Sequence, residues 1–303
     1  MTKSFRVGVV FPQTEIEADA KVIGHYAQAV EGMGYSHLVA YDHVLGAGLA
    51  TRPDFKGFYT YKDSFHEPLT LFSYLAGLTK KLTFMSGVVV LPQRQTALFA
   101  KQAANVDIFC GGRLRIGVGV GWNDIEYEAL GMPFAGRGAR MDDQIRVLRR
   151  LWTEPTITED GPFHKITDAG LNPLPIQRPI PIWVGGFSEA AVNRAARLGD
   201  GWFPAFNTNE AEKGMAMFDA ALKKAGRTRS QVQIENNVLV GQRGNLPDWG
   251  GDGTADSAAR DAEVWRNVGA DGMSFDTTYM GFKSADQHLE MLRRIAGNLN
   301  LKA

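Results

Sequence analysis

The segment 82–120 constrains the fold more than any other part of the chain. Two apolar runs, Leu82–Leu91 and Leu114–Val120, predict buried strands, and Thr96–Phe109 between them has helical spacing. The helix ends at Gly111-Gly112, where a left-handed C-cap requires the absence of a Cβ. Strands that are apolar on both faces are typical of parallel sheets, in which a right-handed crossover joins neighbours. The segment therefore predicts a βαβ unit.

The alternation of strand and helix continues along the whole chain. Eight such units predict a single (β/α)8 TIM barrel over residues 1–303, because no change in composition marks a second domain. The predicted strands are Arg6–Phe11, His37–Tyr41, Leu82–Leu91, Leu114–Val120, Ile182–Val184, Gly201–Pro204, Gln233–Val240 and Gly272–Thr277. The predicted helices are Ala20–Met33, Pro68–Thr79, Thr96–Phe109, Arg140–Trp152, Ser188–Arg197, Asn209–Ala225, Ala255–Val268 and Ser284–Ile295.

Three segments are longer than the usual connections of a compact domain, namely Asp42–Glu67, Thr153–Pro181 and Gly241–Thr254. In barrels of this type the active site lies at the C-terminal face, which is built from the βα-loops. We therefore expect the three segments to be insertion loops around a ligand site, and within the second we expect short extended pieces at Phe163-His164 and Leu171. The first is rich in aromatic residues, which either cover the ligand or pack on the barrel.

The composition excludes several classes of function. Lysine plus arginine and aspartate plus glutamate both number 33, so no basic surplus favours nucleic acid. No apolar run reaches the roughly 18 residues of a membrane span, and Met1–Arg6 carries no secretory leader. The single cysteine, Cys110, is interpreted as a small buried side chain. We expect a cytoplasmic protein that binds neither nucleic acid nor membrane.

Asp42 and His43 are the candidates for catalysis. They follow the second predicted strand, at the end from which barrel enzymes present reactive side chains. A histidine there can exchange a proton near neutral pH, and the preceding carboxylate can help to fix its position. The structural alternative is that Asp42 caps the next segment and His43 lies in a surface loop. Glu126 and Glu128, further along, are interpreted as surface helix residues.

Glycines mark two strands as unusual. Gly87-Val88 lies inside an apolar run, where glycine indicates a bulge or the close approach of another group. Gly117, Gly119 and Gly121 have the spacing G-x-G-x-G, but no helix opens on the last glycine, so they are not a dinucleotide-binding fingerprint. On one face of a strand they leave space for a cofactor, and Trp122 follows directly.

A second glycine motif, Gly185-Gly186-Phe187-Ser188, follows the fifth predicted strand and opens a helix. Backbone N–H groups at a helix N-terminus form a ready anion site. The motif therefore predicts a phosphate-binding turn, although a tight strand-to-helix connection alone also accounts for it.

Several blocks in order give the chain a family resemblance. It resembles the luciferase-like monooxygenase superfamily, and most closely its coenzyme F-420-dependent oxidoreductase branch. The matching blocks are Tyr41–His43, Gly87–Lys101, Gly111–Arg113, Gly117–Trp122, Arg137–Asp142, Pro175–Gly186 and Leu198–Pro204.

The resemblance implies a role for each motif. His43 would lie beside the reactive ring of the cofactor and transfer a proton or anchor substrate. Gly87-Val88 would form a non-proline cis peptide against the middle of that ring, and Gly185–Ser188 would hold the phosphate. The sugar-phosphate-oxidising branch has a glutamate at the position of Trp122, and no lysine pair is evident here, so a sugar phosphate is not expected.

The resemblance leaves two cofactors open. F-420 passes hydride only, which gives a dehydrogenase or reductase acting on a small organic substrate, whereas reduced FMN reacts with oxygen and gives a monooxygenase. Asp42-His43 and Leu91–Arg94 favour F-420. The FMN alternative requires a partner flavin reductase, because no nicotinamide fingerprint is present. Homodimers are common in the superfamily, and the aliphatic helices here are compatible with one.

Two other classes of function agree less well with the sequence. A metal-dependent barrel hydrolase needs several histidines or carboxylates at strand ends. Of six histidines only His43 is so placed, and no metal site is predicted. A barrel that binds flavin without turning over substrate would lack a polar strand-end pair such as Asp42-His43.

Overall fold

The computed structural model describes residues 5–242 and 250–302, and its eight parallel strands close into a barrel, which confirms the predicted fold. Around the barrel the strands are β1 (Arg6–Val10), β2 (His37–Ala40), β3 (Thr83–Ser86), β5 (Leu114–Gly119), β8 (Ile182–Gly185), β9 (Gly201–Phe203), β10 (Gln233–Leu239) and β11 (Gly272–Asp276). Strand β11 pairs with β1 and closes the ring.

Helices on the outside cover the barrel. They are α1 (Ala20–Gly32), α2 (Pro68–Ala76), α3 (Thr96–Phe109), α4 (Asp124–Ala129), α5 (Arg137–Thr153), α6 (Glu189–Leu198), α7 (Ala211–Lys224), α8 (Ala255–Asn267) and α9 (Ala285–Asn298). Two 3-10 turns, Leu91–Gln93 and Thr208–Glu210, precede α3 and α7. No helix in the described part of the chain combines the length and apolar character of a membrane-spanning segment.

Two strand predictions are wrong in detail. The run Leu82–Leu91 is split, because β3 ends at Ser86 and a short β4 (Val89–Val90) continues beside β5. Within Thr153–Pro181, β6 (Ile157–Asp160) and β7 (Lys165–Ala169) form an antiparallel hairpin, whereas we predicted extended pieces at Phe163-His164 and Leu171. Phe163 and His164 lie in the turn between β6 and β7, because β6 ends before them and β7 begins after them. Of the predicted loop Gly241–Thr254, residues 243–249 lie outside the described residues.

A buried ionic cluster fills the N-terminal end of the barrel. Glu235 on β10 is fully buried, and its carboxylate accepts hydrogen bonds from Arg6 and, at 2.6 Å, from Arg115. The Nε2 of His37 lies 3.5 Å from the same carboxylate and 2.9 Å from the hydroxyl of Ser274. Burial alone would raise the pKa of Glu235, but Arg115, His37 and Arg6 outweigh it and lower this pKa to about 2.

Above this cluster the barrel interior is apolar. Val10, Val39, Met85, Trp183 and Phe203 pack together, and Tyr41 and Val88 lie against them towards the C-terminal face. Glycines at inward positions make room for the largest rings. A Cβ on Gly8 would lie 2.3 Å from the ring of His37, and a Cβ on Gly201 would lie 2.2 Å from that of Trp183. The interior is therefore a packed core that supports whatever is built at the C-terminal ends of the strands.

The predicted role of Cys110 as a small buried side chain is confirmed. The residue caps α3 and is buried, and burial raises the pKa of its thiol. A thiol in this state is a poor nucleophile.

We predict that Glu235→Gln destabilises the fold. The substitution leaves two guanidinium groups in the barrel without a counter-charge, which should cost about 3 kcal/mol of unfolding free energy. Because the pKa of Glu235 is lowered in the folded protein, its contribution is present above its ordinary pKa of 4.5 and is lost as the pH falls towards about 2. Denaturant unfolding at several pH values should show this loss of unfolding free energy in the native protein and not in the Glu235→Gln variant. Glu290→Gln, in an exposed ion pair, is the control, and equal effects of both substitutions would contradict the prediction.

Candidate active site

A cavity of about 500 Å³ opens at the C-terminal ends of the strands. Six strands reach it. Strands β2 and β3 do so through the residues that follow them, β8, β9 and β11 through their last residues, and β10 through its last three. Its lining includes four of the residues predicted to bind cofactor, Gly87, Val88, Gly185 and Gly186. The other predicted residues, Gly119, Gly121, Trp122, Phe187 and Ser188, are not in the lining.

The peptide between Gly87 and Val88 is cis, as the resemblance implied. It lies between β3 and β4, and both residues line the cavity. A Cβ on Gly87 would lie 2.3 Å from Cγ1 of Val39, so packing alone requires glycine there. The Val88 side chain is held from two sides, because a Cβ on either Gly119 or Gly185 would lie 2.5 Å from one of its methyl groups.

The interpretation of the strand glycines therefore needs correction. Gly119 and Gly121 do not leave space for a cofactor: Val88 occupies the space beside the first, and Val90 lies 2.6 Å from the Cβ position of the second. At Gly117 that position is only 1.9 Å from the carbonyl oxygen of Ser86. The glycines of β5 instead admit the β3–β4 segment, whose backbone then lines the cavity.

The turn after β8 has the features expected of an anion site. Gly185 and Gly186 line the cavity, and Gly186 has φ of 108°, a conformation that favours glycine. Its carbonyl accepts a hydrogen bond of 2.9 Å from the indole of Trp202. Ser188 caps α6 by accepting from the N–H of Ala191, and Phe187 lies 6.2 Å from Phe206 between ring centroids. The N-terminus of α6 therefore directs its partial positive charge towards this end of the cavity.

Asp42 does not orient His43. Its carboxylate accepts a 2.7 Å hydrogen bond from Arg94 and a 3.0 Å bond from the N–H of Val90. Burial raises the pKa of Asp42 despite the opposing effect of Arg94. Arg94 also binds Glu67 at 2.9 Å. Asp42 thus connects the end of β2 to β4 and, through Arg94, to Glu67 at the N-terminus of α2. This role is structural, and the prediction that Asp42 fixes the position of His43 is wrong.

Glu126 takes the orienting role. Both of its carboxylate oxygens lie 3.3 Å from Nδ1 of His43, and Oε1 accepts from the N–H groups of Val44 and Leu45 at 2.7 and 3.2 Å. The interpretation of Glu126 as a surface residue is wrong, since it is 1% exposed. Burial would raise its pKa, but His43 and the two N–H groups outweigh this and lower it. Helix α4 has only six residues, too few for periodicity to reveal its buried face.

Aromatic rings of the first insertion loop, together with Trp122 between β5 and α4, surround His43. Ring centroids of Phe65, Tyr59 and Trp122 lie 4.8, 5.1 and 5.6 Å from that of the imidazole. Trp122 in turn contacts Phe58 at 5.6 Å. The loop therefore packs over the histidine. A second cavity, of about 250 Å³, lies beside His43, and Tyr59 lines both cavities.

A polar group in the lining of the larger cavity was not predicted. Tyr41 donates a 2.7 Å hydrogen bond to Asp276 and accepts one of 2.8 Å from the amide of Asn237. Burial, reinforced by Asp276, raises the pKa of Tyr41. The Oδ1 of Asn237 is buried and has no hydrogen-bond partner among the described residues, so a ligand can donate to it. Asn237 lies two residues after the inward-facing Glu235 on β10 and therefore on the same face of the strand, and this period of two was the available signal.

The described lining of the larger cavity is acidic. It includes Asp252, Asp261 and Asp276 and contains neither lysine nor arginine. No group of three or more metal-binding side chains occurs in residues 5–242 and 250–302.

These features define a barrel with a ligand site at the C-terminal ends of its strands, built on a cis peptide and carrying a half-buried histidine that is paired with a buried carboxylate. The sequence model of the luciferase-like monooxygenase family matches residues 5–240. The chain therefore belongs to this family, whose members include flavin- and F420-dependent enzymes.

Relatives by sequence support the assignment. An uncharacterized protein of Mycobacterium tuberculosis is 35% identical over 208 residues, 67% of this chain and 72% of that protein. The FMNH(2)-dependent dimethylsulfone monooxygenase of Pseudomonas putida is 36% identical over 182 residues, 59% of this chain and 49% of that protein.

Solved structures share the fold. The coenzyme F420 dependent tetrahydromethanopterin reductase from Methanopyrus kandleri superposes with a TM-score of 0.77 over 98% of this chain and 99% of that chain, at 14% identity. Long-chain alkane monooxygenase (LadA) gives 0.76 over 100% and 93%, also at 14% identity. At this identity the likeness establishes the architecture alone.

We predict that Gly186→Ala weakens cofactor binding about tenfold. A methyl group there is strained by the positive φ and lies 3.1 Å from the Cβ of Ala191, so the turn must shift. Gly269→Ala is the control: it has φ of 84° and open space, at the end of α8 away from the cavity. Binding is measured by absorbance titration with the free cofactor. Equal losses in both variants would assign the effect to backbone strain in general.

We also predict that Gly119→Ala disturbs the cavity. The added methyl group would overlap Val88, so Gly87-Val88 must move and cofactor binding should weaken by about tenfold or more. Gly161→Ala, in the β6–β7 turn with no atom within 4 Å, should bind as the native protein does. Unchanged binding by a folded Gly119→Ala protein would show that the cavity tolerates movement of this segment.

Proposed function

We propose that the protein is an F-420-dependent oxidoreductase that transfers hydride to or from a small organic substrate. The observation that carries this proposal is the His43–Glu126 pair, in which Glu126 is buried and His43 lines the smaller cavity. Tyr59 lines both this cavity and the one that Gly87-Val88 lines. Hydride transfer to or from an alcohol or carbonyl compound needs a proton acceptor or donor at the reacting oxygen, and histidine suits this task near neutral pH. The motif series around Gly87–Lys101 supports the F-420 branch in particular.

The residues present fit a planar ring that carries a phosphate-bearing tail. The backbone at Gly87-Val88 and the ring of Phe203 offer an apolar surface. The N-terminus of α6, beside Gly185 and Gly186, offers a site for a phosphate without a basic side chain. Bound F-420 would supply a carbon that accepts or releases hydride.

His43 would accept the proton of the reacting hydroxyl group and return it in the reverse reaction. When its Nδ1–H donates to Glu126, Nε2 is left as an acceptor, and this nitrogen has no hydrogen bond to a described residue. Nε2 can then take the proton of a substrate hydroxyl as the alcohol is oxidised, and it returns the proton in the reverse reaction. Glu126 stabilises the imidazolium that forms, and the surrounding rings limit access of water.

A second candidate is an FMN-dependent monooxygenase that receives reduced flavin from a partner reductase. The observation in its favour is the 36% identity to the FMNH(2)-dependent dimethylsulfone monooxygenase. The absence of basic residues from the described lining also suits the single phosphate of FMN. The scaffold and the anion site are common to both candidates.

Titration of the protein with F-420 and with FMN in parallel separates the candidates. We expect F-420 to bind and to change its absorbance with substrate, without consumption of oxygen. Tight binding of FMN with oxygen consumption, and no response to F-420, would establish the monooxygenase instead.

We predict that His43→Ala retains the cofactor but loses roughly 10²–10⁴-fold in turnover, the usual range for a positioned acid–base group. Glu126→Gln keeps an acceptor for Val44 and Leu45 but removes the charge, so turnover should fall less and its pH dependence should change. His25→Ala, on the exposed face of α1, is the control. Steady-state absorbance assays across a range of pH provide the measurement. Full turnover by His43→Ala would refute the proposed role.

A further inference from the structure

A half-buried carboxylate outside the two cavities carries a further inference. We propose that Glu15 is a positioning residue of the active site, because it holds Tyr279 in a strained backbone conformation. Tyr279 in turn supports Tyr59, whose ring lies beside His43. The inference rests on the proposed function in one respect, since it takes His43 as the residue that acts on the substrate.

The backbone at Tyr279 is the first observation. This residue has φ of 66°, in the left-handed region that bulky side chains rarely adopt. The other non-glycine residues with positive φ in the described part of the chain are Asp168 and Asn300, and both are of types that tolerate it. Tyr279 also lines the larger cavity. A strained residue at a ligand site persists only where its surroundings enforce the conformation.

Two carboxylates enforce the conformation of this loop. Oε1 of Glu15 accepts a 2.8 Å hydrogen bond from the N–H of Tyr279. Asp276, at the end of β11, accepts from the N–H and the hydroxyl of Thr278 at 2.9 and 2.7 Å. Glu15 follows β1, which is the strand that pairs with β11. Its hydrogen bond therefore joins the connections that leave the first and the last strand of the barrel.

A buried histidine faces the second oxygen of Glu15. The side chain of His288 on α9 is fully buried, and its Nδ1 lies 2.8 Å from the hydroxyl of Thr277. When this hydroxyl donates to Nδ1, the ring proton lies on Nε2, which is 3.6 Å from Oε2 of Glu15. Neither Nε2 nor Oε2 has a hydrogen bond to a described residue, so the approach serves both buried atoms. The loop after β11 is thus fixed to Glu15 from two sides.

The side chain of Tyr279 connects this loop to the candidate active site. Its hydroxyl donates to that of Tyr59 at 3.4 Å. Tyr59 belongs to the first insertion loop, lines both cavities and lies 5.1 Å from His43 between ring centroids. Glu126 restrains the imidazole at Nδ1, and the ring of Tyr59 restrains it from the loop. Because an acid–base group acts only within hydrogen-bond reach of its substrate, loss of this support should make the position of His43 less defined.

Hydrogen exchange of the whole chain, followed by mass spectrometry, tests the connection in two segments. Residues 277–283 report on the strained loop, and residues 57–61 report on the insertion loop. The N–H groups of Thr60 and Tyr61 donate to Asp63 and Ala47, so their exchange is slow while that loop is ordered.

Glu15→Ala removes the acceptor of the Tyr279 N–H and should raise exchange about tenfold in both segments. Glu15→Gln can accept from Tyr279 and donate to Nε2 of His288, so it should exchange as the native protein does. Glu17→Ala, at an exposed position two residues further on, is the control. A rise confined to residues 277–283 in Glu15→Ala would show a local structural role and would overturn the proposal.

Tyr279→Asn separates the side chain from the backbone. Asparagine tolerates positive φ, so exchange in residues 277–283 should stay within about twofold of the native rate, whereas exchange in residues 57–61 should rise about tenfold. The ring protons of His43, assigned by NMR with His43→Ala, should shift in Tyr279→Asn and in Glu15→Ala but not in Glu15→Gln. Native exchange in residues 57–61 of Tyr279→Asn, or unshifted His43 signals, would overturn the proposal even if Glu15→Ala fails to fold. Neither measurement involves turnover, so the outcome is independent of the cofactor and of the reaction.

Discussion

The contact between Val88 and two glycines determines how the site is built. The Val88 side chain fits against Gly119 on β5 and Gly185 on β8 at distances that exclude a Cβ on either strand. This contact fixes the β3–β4 segment across the mouth of the barrel, so that its backbone lines the larger cavity. Asp42 strengthens the arrangement, since its hydrogen bond to the N–H of Val90 joins the end of β2 to the same segment. His43, the next residue, is thereby held next to the cavity.

Much of the fold was predictable because it depends on local patterns. Apolar runs and helical spacing located the eight barrel strands and eight of the outer helices to within a few residues. The split between Ser86 and Val89 was not located, because an apolar run looks the same whether or not the strand is continuous. The β6–β7 hairpin was missed for a similar reason: its strands are largely exposed and lack strict alternation of apolar residues.

The site was predicted in part, and the errors share one physical origin. Gly87, Val88, Gly185 and Gly186 line the cavity. The sequence was sufficient to locate them there because backbone conformation at a strand end is encoded locally. Side-chain partners are not encoded locally. Glu126 is 83 residues from His43, and Asp42 is 52 residues from Arg94. Adjacency in sequence made Asp42 the natural partner of His43, but neighbouring side chains at the end of a strand point in different directions.

The ionic cluster at the other end of the barrel has an evolutionary consequence. Arg115 serves two partners, since its guanidinium binds Glu235 and also lies 5.0 Å from the ring centroid of Trp183. A lineage that loses the acid first must tolerate unpaired cations, and one that loses Arg115 first must tolerate a buried carboxylate with less compensation. Either intermediate is unfavourable, so the two positions should change together or not at all. An alignment of family members should therefore show covariation between positions 115 and 235, with Trp183 retained only where the arginine remains.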